Sequence, residues 1–374
     1  MFSTCNSLRR HFTTVTLNRD TNQAYGLAKY AVDFLKNGKP SHQVYTRLKL
    51  LHTDSIICAY AALSTKTNAP SIFKNEALLD VKRGGKTNRP KIGIAKVFGS
   101  YDCSPAEKAI TANVSAISEL SANSYFLGNN QAGEIVYNDF FPIAVATSQQ
   151  NVALTGEKVA KGMVLLNEIQ GSLSETFPLS PHKIDPVIYG GIATAVTYGA
   201  LMGATPNQIE NAISILLSLN IPSLAIRQGK QIYDVHGASS AIIAEAAIGA
   251  IRRAHGGLSG PQDIFRSPHA IFRTLEPTNG DSPFDLKLTM EGNNFSLMKN
   301  HFKLGSYNVH AAGAIEGILK ILKENKFLVQ DDPNCIESIK IITYKDAVNI
   351  IGDEARRSPA TRQSALNSIY YTGN

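Results

Sequence analysis

Residues 182–215 read HKIDPVIYGGIATAVTYGALMGATPNQIENAISI. A helix rich in small residues, carrying Gly190, Gly191 and Gly199, leads directly into a second helix start. Thr205-Pro206-Asn207-Gln208 supplies that start, with a Thr cap, Pro at the first helical position and Gln three residues after the cap. Two long helices joined by so short a connection commit this part of the chain to a helical body. The remainder of the N-terminal two-thirds agrees. AYGLAKYAVDFLKN from Ala24 has apolar residues at helical spacing and stops before Gly38 and Pro40. Val44 to Leu63 reads as a longer, more buried helix. Ser104-Pro105 opens another, and His236 to His255 is an Ala-rich helix closed by Gly256-Gly257.

The pattern changes after about residue 270. Pro277, Gly280, Pro283 and Gly292 punctuate short apolar pieces, Gly305 to Asn325 reads as a helix, and IESIKIITY from Ile336 to Tyr344 has the composition and alternation of a strand. Lys91 to Phe98 is a second short strand candidate, following a charged, Gly-containing loop at residues 82–91. The expected fold class is therefore mostly α: a large helical domain over residues 20–271 and a smaller α+β lid domain over 272–374.

Composition narrows the function. With 374 residues and 43% hydrophobic content the chain can bury a sizeable core. No apolar run reaches the length of a membrane span, which predicts a soluble protein without a membrane partner. Cys5, Cys58, Cys103 and Cys335 form no CxxC pair, so neither a structural zinc site nor a disulfide framework nor an iron–sulfur cluster is expected. The net charge of +7 and pI near 9.1 would suit nucleic acid, but no basic block is interleaved with aromatics, and no such partner is expected. Residues 1–19 contain Arg9, Arg10 and Arg19, many Ser and Thr, and no acid. That is the composition of a mitochondrial transit peptide and predicts the matrix.

Several segments in a fixed order carry a resemblance. They are LHTDSIICAYAAL from Leu51, VYNDFFP from Val136, NEIQG from Asn167, the HKIDP to NAISI stretch above, LSGPQDIF from Leu258, HFKLGSY from His301 and RSPATRQSALNS from Arg357. Together they resemble the MmgE/PrpD family, which holds 2-methylcitrate dehydratase and cis-aconitate decarboxylase. The resemblance covers most of the chain after residue 45. It implies a helical domain with a lid, a metal-independent hydro-lyase without cofactor, a branched tricarboxylate substrate from propionate catabolism, a homodimer, and a site between the domains. It also implies that the lid ordinarily continues further than Asn374, so the lid is expected to be incomplete.

Dehydrating a hydroxy acid needs a base beside a carboxylate, an acid for the departing hydroxyl, and cations for the carboxylates. Motif matches assign Asp139, Tyr307 and His310 to proton transfer, and Lys303, Arg362, His301 and Asn138 to substrate binding. Some of these have a second reading. Asp139 reads equally as a helix cap, Tyr307 equally as core, and Arg362 either grips a carboxylate or caps the last elements of the lid. His236 stands at a helix start near a position that is cationic in the family, where a surface role is the plainer reading. Other positions depart from the pattern. Ser121 stands where the family has Asp, Pro186 where a His is common, Val309 one step before His310 where a His is expected, and Leu366-Asn367 where an Asp-His pair is typical. A His expected near Asn129 and Asn130 is absent. Two further readings follow: a catalytically weakened or silent paralogue that binds anions or serves as a dimer partner, and a cis-aconitate decarboxylase-like lyase.

Overall fold

The computed structural model describes residues 14–83, 93–128, 134–325 and 337–372. Its first strand, β1 (Thr14–Leu17), precedes three helices, α1 (Gln23–Asn37), α2 (His42–Ser64) and α3 (Asn68–Arg83), with the two-residue β2 (Lys39–Pro40) between α1 and α2. Asn22 and Ser41 cap α1 and α2 with side-chain oxygens. The hairpin β3 (Ile94–Lys96) and β4 (Cys103–Pro105) leads into α4 (Ala106–Ser118). Strands β5 (Tyr125–Leu127) and β6 (Ile135–Tyr137) then precede α5 (Phe141–Gln150), α6 (Gly156–Thr176), α7 (Val187–Leu201), α8 (Pro206–Leu219) and α9 (Val235–His255).

Helix α7 is the hub. Every residue from Val187 to Leu201 except Ala200 is buried, as expected of a helix that is apolar on all sides. Its glycines let the neighbours in: a Cβ at Gly190 would lie 2.1 Å from the Phe140 ring, and one at Gly199 would lie 2.8 Å from Ile251. The capping box at Thr205 and Gln208 forms as expected, with Thr205 Oγ1 accepting from the Gln208 amide and Gln208 Oε1 accepting from the Thr205 amide.

The EIQG segment at the middle of α6 ties three parts together. The Glu168 carboxylate is buried and accepts from the amides of Thr289 and Ser296, each at 2.7 Å. Gln170 donates to the Tyr137 carbonyl. A Cβ at Gly171 would meet Ser296 at 2.6 Å, so α6 and the 289–296 loop touch almost backbone to side chain.

The apolar core continues across residue 272. Phe272, Phe284, Leu286, Leu288, Phe295 and Leu297 share a single apolar cluster with the helices. Rings of Phe177, Phe265, Phe272 and Phe284 meet there at centroid distances of 4.7–6.1 Å, a geometry that contributes about 0.5–1.5 kcal/mol per pair beyond burial. Three strands beyond residue 272 pair back onto the body: β7 (Leu286–Thr289) with β1, β8 (Glu291–Gly292) with β2, and β9 (Asn300–His301) with β5 in the sheet order β6-β5-β9. The helical domain is thus not purely helical.

The strand expected over Ile336–Tyr344 does not form over 337–344, which run without regular structure. Alternation specifies a strand only where a partner edge is offered, and here Ile339 and Ile342 are exposed. The helix expected from Gly305 starts at Ala312 and ends at Glu324 (α11), after the short helix α10 (Ile271–Leu275). Residues 1–13 of the expected leader, 84–92 of the charged loop and the strand candidate after it, and Ile336 lie outside the described residues. The leader's last six residues lie within them. Thr14–Leu17 is β1, and Arg19 forms an ion pair with Asp285 at 2.9 Å.

Candidate functional site

Strand β6 delivers Tyr137, Asn138 and Asp139 to a point where the end of α4, the loop before α9 and the start of α9 converge. Two small adjoining hollows share Tyr137, Asp139, Arg227 and Ser240 in their walls. One is otherwise polar, with Ser121, Asn123 and His236 among its lining; the other is closed by Pro186, Val187 and Gly190.

Asp139 is 3% exposed. Its two carboxylate oxygens accept from Asn123 Nδ2 and Ser240 Oγ. Burial raises its pKa, opposed by those two hydrogen bonds and by the positive charges of Arg227 and Lys303. The helix-cap alternative is not what forms: α5 is preceded by Phe140 and has no side-chain cap bond. Asn138 is spent within the protein. Its Nδ2 donates to Ser124 Oγ at 2.9 Å and its Oδ1 accepts from Asn300 Nδ2 at 3.1 Å.

Lys303 follows β9 and is 8% exposed, and among the described residues its Nζ has no hydrogen-bond partner. The ammonium lies 5.8 Å from the centroid of the Tyr137 ring and 5.6 Å from that of Tyr307, within the range of a cation–π contact. Burial pulls its pKa down to about 7, against the opposing effects of Cys58, Asp139 and Asp54. Asp54 and Cys58 are one helical turn apart on α2 and so share a face, which explains their spacing in the LHTDSIICAYAAL segment. Asp54 accepts from the Ser124 amide at 2.8 Å. Burial pushes the Cys58 thiol up to about 12, which removes it as a nucleophile at neutral pH.

Sequence reasoning missed the second cation. Arg227 sits in the loop SLAIRQGK, where no periodicity or motif marks it. The guanidinium lies 5.6 Å over the Tyr137 ring, its Nε donates to buried Asp185, and NH1 contacts His236 Nε2 at 3.2 Å. Asp185 also accepts from the Val187 amide at 2.8 Å, so this turn residue orients the start of α7 and Arg227 together. Such a signal exists only across the fold, between residues far apart in sequence.

The remaining sequence candidates distribute differently. The ring of Tyr307 is drawn to Lys303, and its hydroxyl accepts from the Leu304 amide at 3.4 Å. His301 is exposed, with its ring 5.5 Å from Tyr125. His310 Nδ1 meets the Tyr344 hydroxyl at 2.6 Å, and burial lowers its pKa. Arg362 is bonded to Glu119, a fully buried carboxylate that burial still holds at about 7 despite this cation. The charge expected on a substrate carboxylate is directed at a protein one. His236, expected at the surface, is 8% exposed. Burial and the positive charge of Arg227 bring it down to about 3, so it is neutral at physiological pH.

Taken together, the Arg227 guanidinium and the Lys303 amine both lie near the Tyr137 ring, and Arg227 and the buried Asp139 carboxylate share the walls of the hollows, a set of groups that could bind an anion and exchange a proton. The model of the MmgE/PrpD N-terminal domain matches residues 26–282, and the chain belongs to the MmgE/PrpD family. At family level this suggests a lyase of the 2-methylcitrate dehydratase kind. Among the described residues no cluster of His, Cys, Asp or Glu could hold a metal, and no helix is long and apolar enough to cross a membrane.

Proposed function

We propose that the chain is a hydro-lyase for a small tricarboxylate, with 2-methylcitrate of propionate catabolism as the substrate, working as a homodimer in the mitochondrial matrix without metal or cofactor. The observation that carries this reading is Lys303: a buried amine whose Nζ has no hydrogen-bond partner among the described residues, near pKa 7 and within electrostatic reach of Asp139. As a neutral amine, Lys303 removes the proton next to a carboxylate. Asp139, which burial biases toward its protonated form, gives its proton to the departing hydroxyl. The C–H and C–O bonds break, a C=C bond forms and water leaves. Arg227 stays charged at any working pH and holds a carboxylate. Proton exchange with solvent then resets the amine and the carboxyl.

The test is the purified full chain with 2-methylcitrate, read by the absorbance of the unsaturated product, with parallel assays of cis-aconitate for decarboxylation. Lys303→Met and Asp139→Asn should each reduce turnover by about 10²–10⁴-fold. Unchanged turnover in both variants would refute the assignment. A catalytically weakened, anion-binding protein is the second reading. It is favoured by both oxygens of Asp139 already being occupied, and by Ser121 and Pro186 lining the hollows where the family pattern has Asp and His. It predicts that tricarboxylates raise the melting temperature while no product forms. Light scattering tests the dimer.

A further inference from the structure

The loop that runs from Arg227 to the start of α9, where His236 stands, has a second support besides its own turns and Asp185. It is bonded along its length to residues 355–364. Arg356 NH2 donates to the Gly229 carbonyl and Gln231 Nε2 to the Ala355 carbonyl, both at 2.7 Å. The Ala360 amide donates to Gln231 Oε1 at 3.0 Å, and the Ile232 amide to Ser364 Oγ at 2.7 Å. Arg356 is 2% exposed and also donates to the Asn367 carbonyl at 3.0 Å, so the strap is itself internally braced.

One side chain of the strap reaches the site's chemistry. Gln363 is fully buried, and its Nε2 donates to the Glu119 carbonyl at 3.1 Å. That bond fixes the orientation of the amide, so Oε1 faces His236 Nδ1 at 3.1 Å and can only accept. Nδ1 therefore carries the imidazole proton. The opposite nitrogen gives the same answer independently. Arg227 NH1 has only hydrogens to offer, so His236 Nε2 must present its lone pair. The chain of donors runs from Arg227 to His236 to Gln363 to the Glu119 backbone, every link in one direction.

We propose that Gln363 is a positioning residue: the 355–364 strap aims Arg227 into the hollow by locking His236 in its neutral, Nδ1-protonated form. His236 is then no general base and no anion ligand. It is an acceptor that steers a guanidinium, as tightly packed supporting residues do for reacting groups generally. The charged groups around it are Arg227, Lys303 and Arg356, all of which oppose a proton on Nε2, while Glu119 lies against the adjacent Gly237. The role of Arg227 rests on the anion-site reading above, but the tautomer does not.

The test uses the full chain labelled with ¹⁵N-histidine, and citrate as the probe anion. His236 is assigned by loss of its signals in His236→Asn. In the parent, its ring nitrogens should show the neutral Nδ1-protonated pattern, unchanged between pH 8 and pH 5. In Gln363→Leu the Nδ1 preference should be lost, and citrate should bind about tenfold more weakly. A parent ring that is protonated at Nε2, or that titrates near 6.5, overturns the proposal without any variant. So does a Gln363→Leu protein in which tautomer and citrate affinity are both unchanged. If the tautomer is as stated but citrate does not bind the parent, the positioning chain stands and the proposed function falls.

Discussion

Replacing Lys303 by Met should make the protein more stable as it removes the chemistry. Lys303 is brought from its ordinary 10.5 to about 7, and each unit of pKa corresponds to about 1.4 kcal/mol. Carrying this group in the folded state therefore costs roughly 4–5 kcal/mol at and below pH 7, an upper figure once local relaxation is allowed. The sign follows from linkage. The folded pKa is depressed, so the stability associated with this group is present above 10.5 and lost as pH falls through about 7. Methionine has similar length and no charge to desolvate. Lys303→Met should gain about 2–4 kcal/mol in urea unfolding at pH 6–7, and the gain should shrink steadily toward pH 10. A variant less stable than the parent at pH 7, or a gain that does not change with pH, would refute the assignment of Lys303 as a buried, unpaired amine. The opposite effects on stability and activity would mark a residue retained for what it does.

The other expectations are briefer. Glu119 is raised to about 7, so its contribution to stability is full below its ordinary 4.5 and is lost as pH rises through 7; Glu119→Gln should flatten that slope in pH-dependent thermal melts, and an unchanged slope refutes it. Gly190→Ala should destabilise by about 1–3 kcal/mol and weaken citrate binding, because the new Cβ meets the Phe140 ring in the wall of the hollow; a normal melt refutes it. Ser121 has φ of 49°, a left-handed conformation that Asp tolerates. Ser121→Asp should therefore change stability by less than about 1 kcal/mol and raise 2-methylcitrate turnover by at least about tenfold. Residues 1–30, which contain the expected 1–19 leader, fused to a fluorescent reporter should direct it to mitochondria, and a chain starting at Asp20 should melt below one starting at Thr14, since it lacks β1 and the Arg19–Asp285 pair.

What was legible in the sequence is what local spacing encodes. Helices at 23–37, 42–64 and 235–255 follow from periodicity and caps, and the Thr205–Gln208 box from side-chain reach alone. Punctuation by Pro and Gly after residue 270 marks turns, and turns do not reveal that the strands between them pair back onto the body. Lys303 was visible through HFKLGSY, but its lack of a partner was not, since that is a property of everything around it. Arg227 and the role of Gln363 were invisible for the same reason. Their meaning lies in Asp185, His236 and the Glu119 carbonyl, and no spacing along the chain brings these together.

The pairing of β1 with β7 has a consequence for the order in which the molecule can form. Thr14 is opposite Thr289, 275 residues further along the chain. At a synthesis rate of roughly 5–20 residues per second, β1 leaves the ribosome at least ten seconds before its partner exists. Closing so long a loop is entropically unfavourable until the intervening helices have condensed and brought the ends near each other. The first strand made is therefore among the last to dock, and it leaves residues 14–17 unpaired through most of folding. A protease pulse during refolding should cut near Thr14 until late in the reaction, well after the helical signal has recovered.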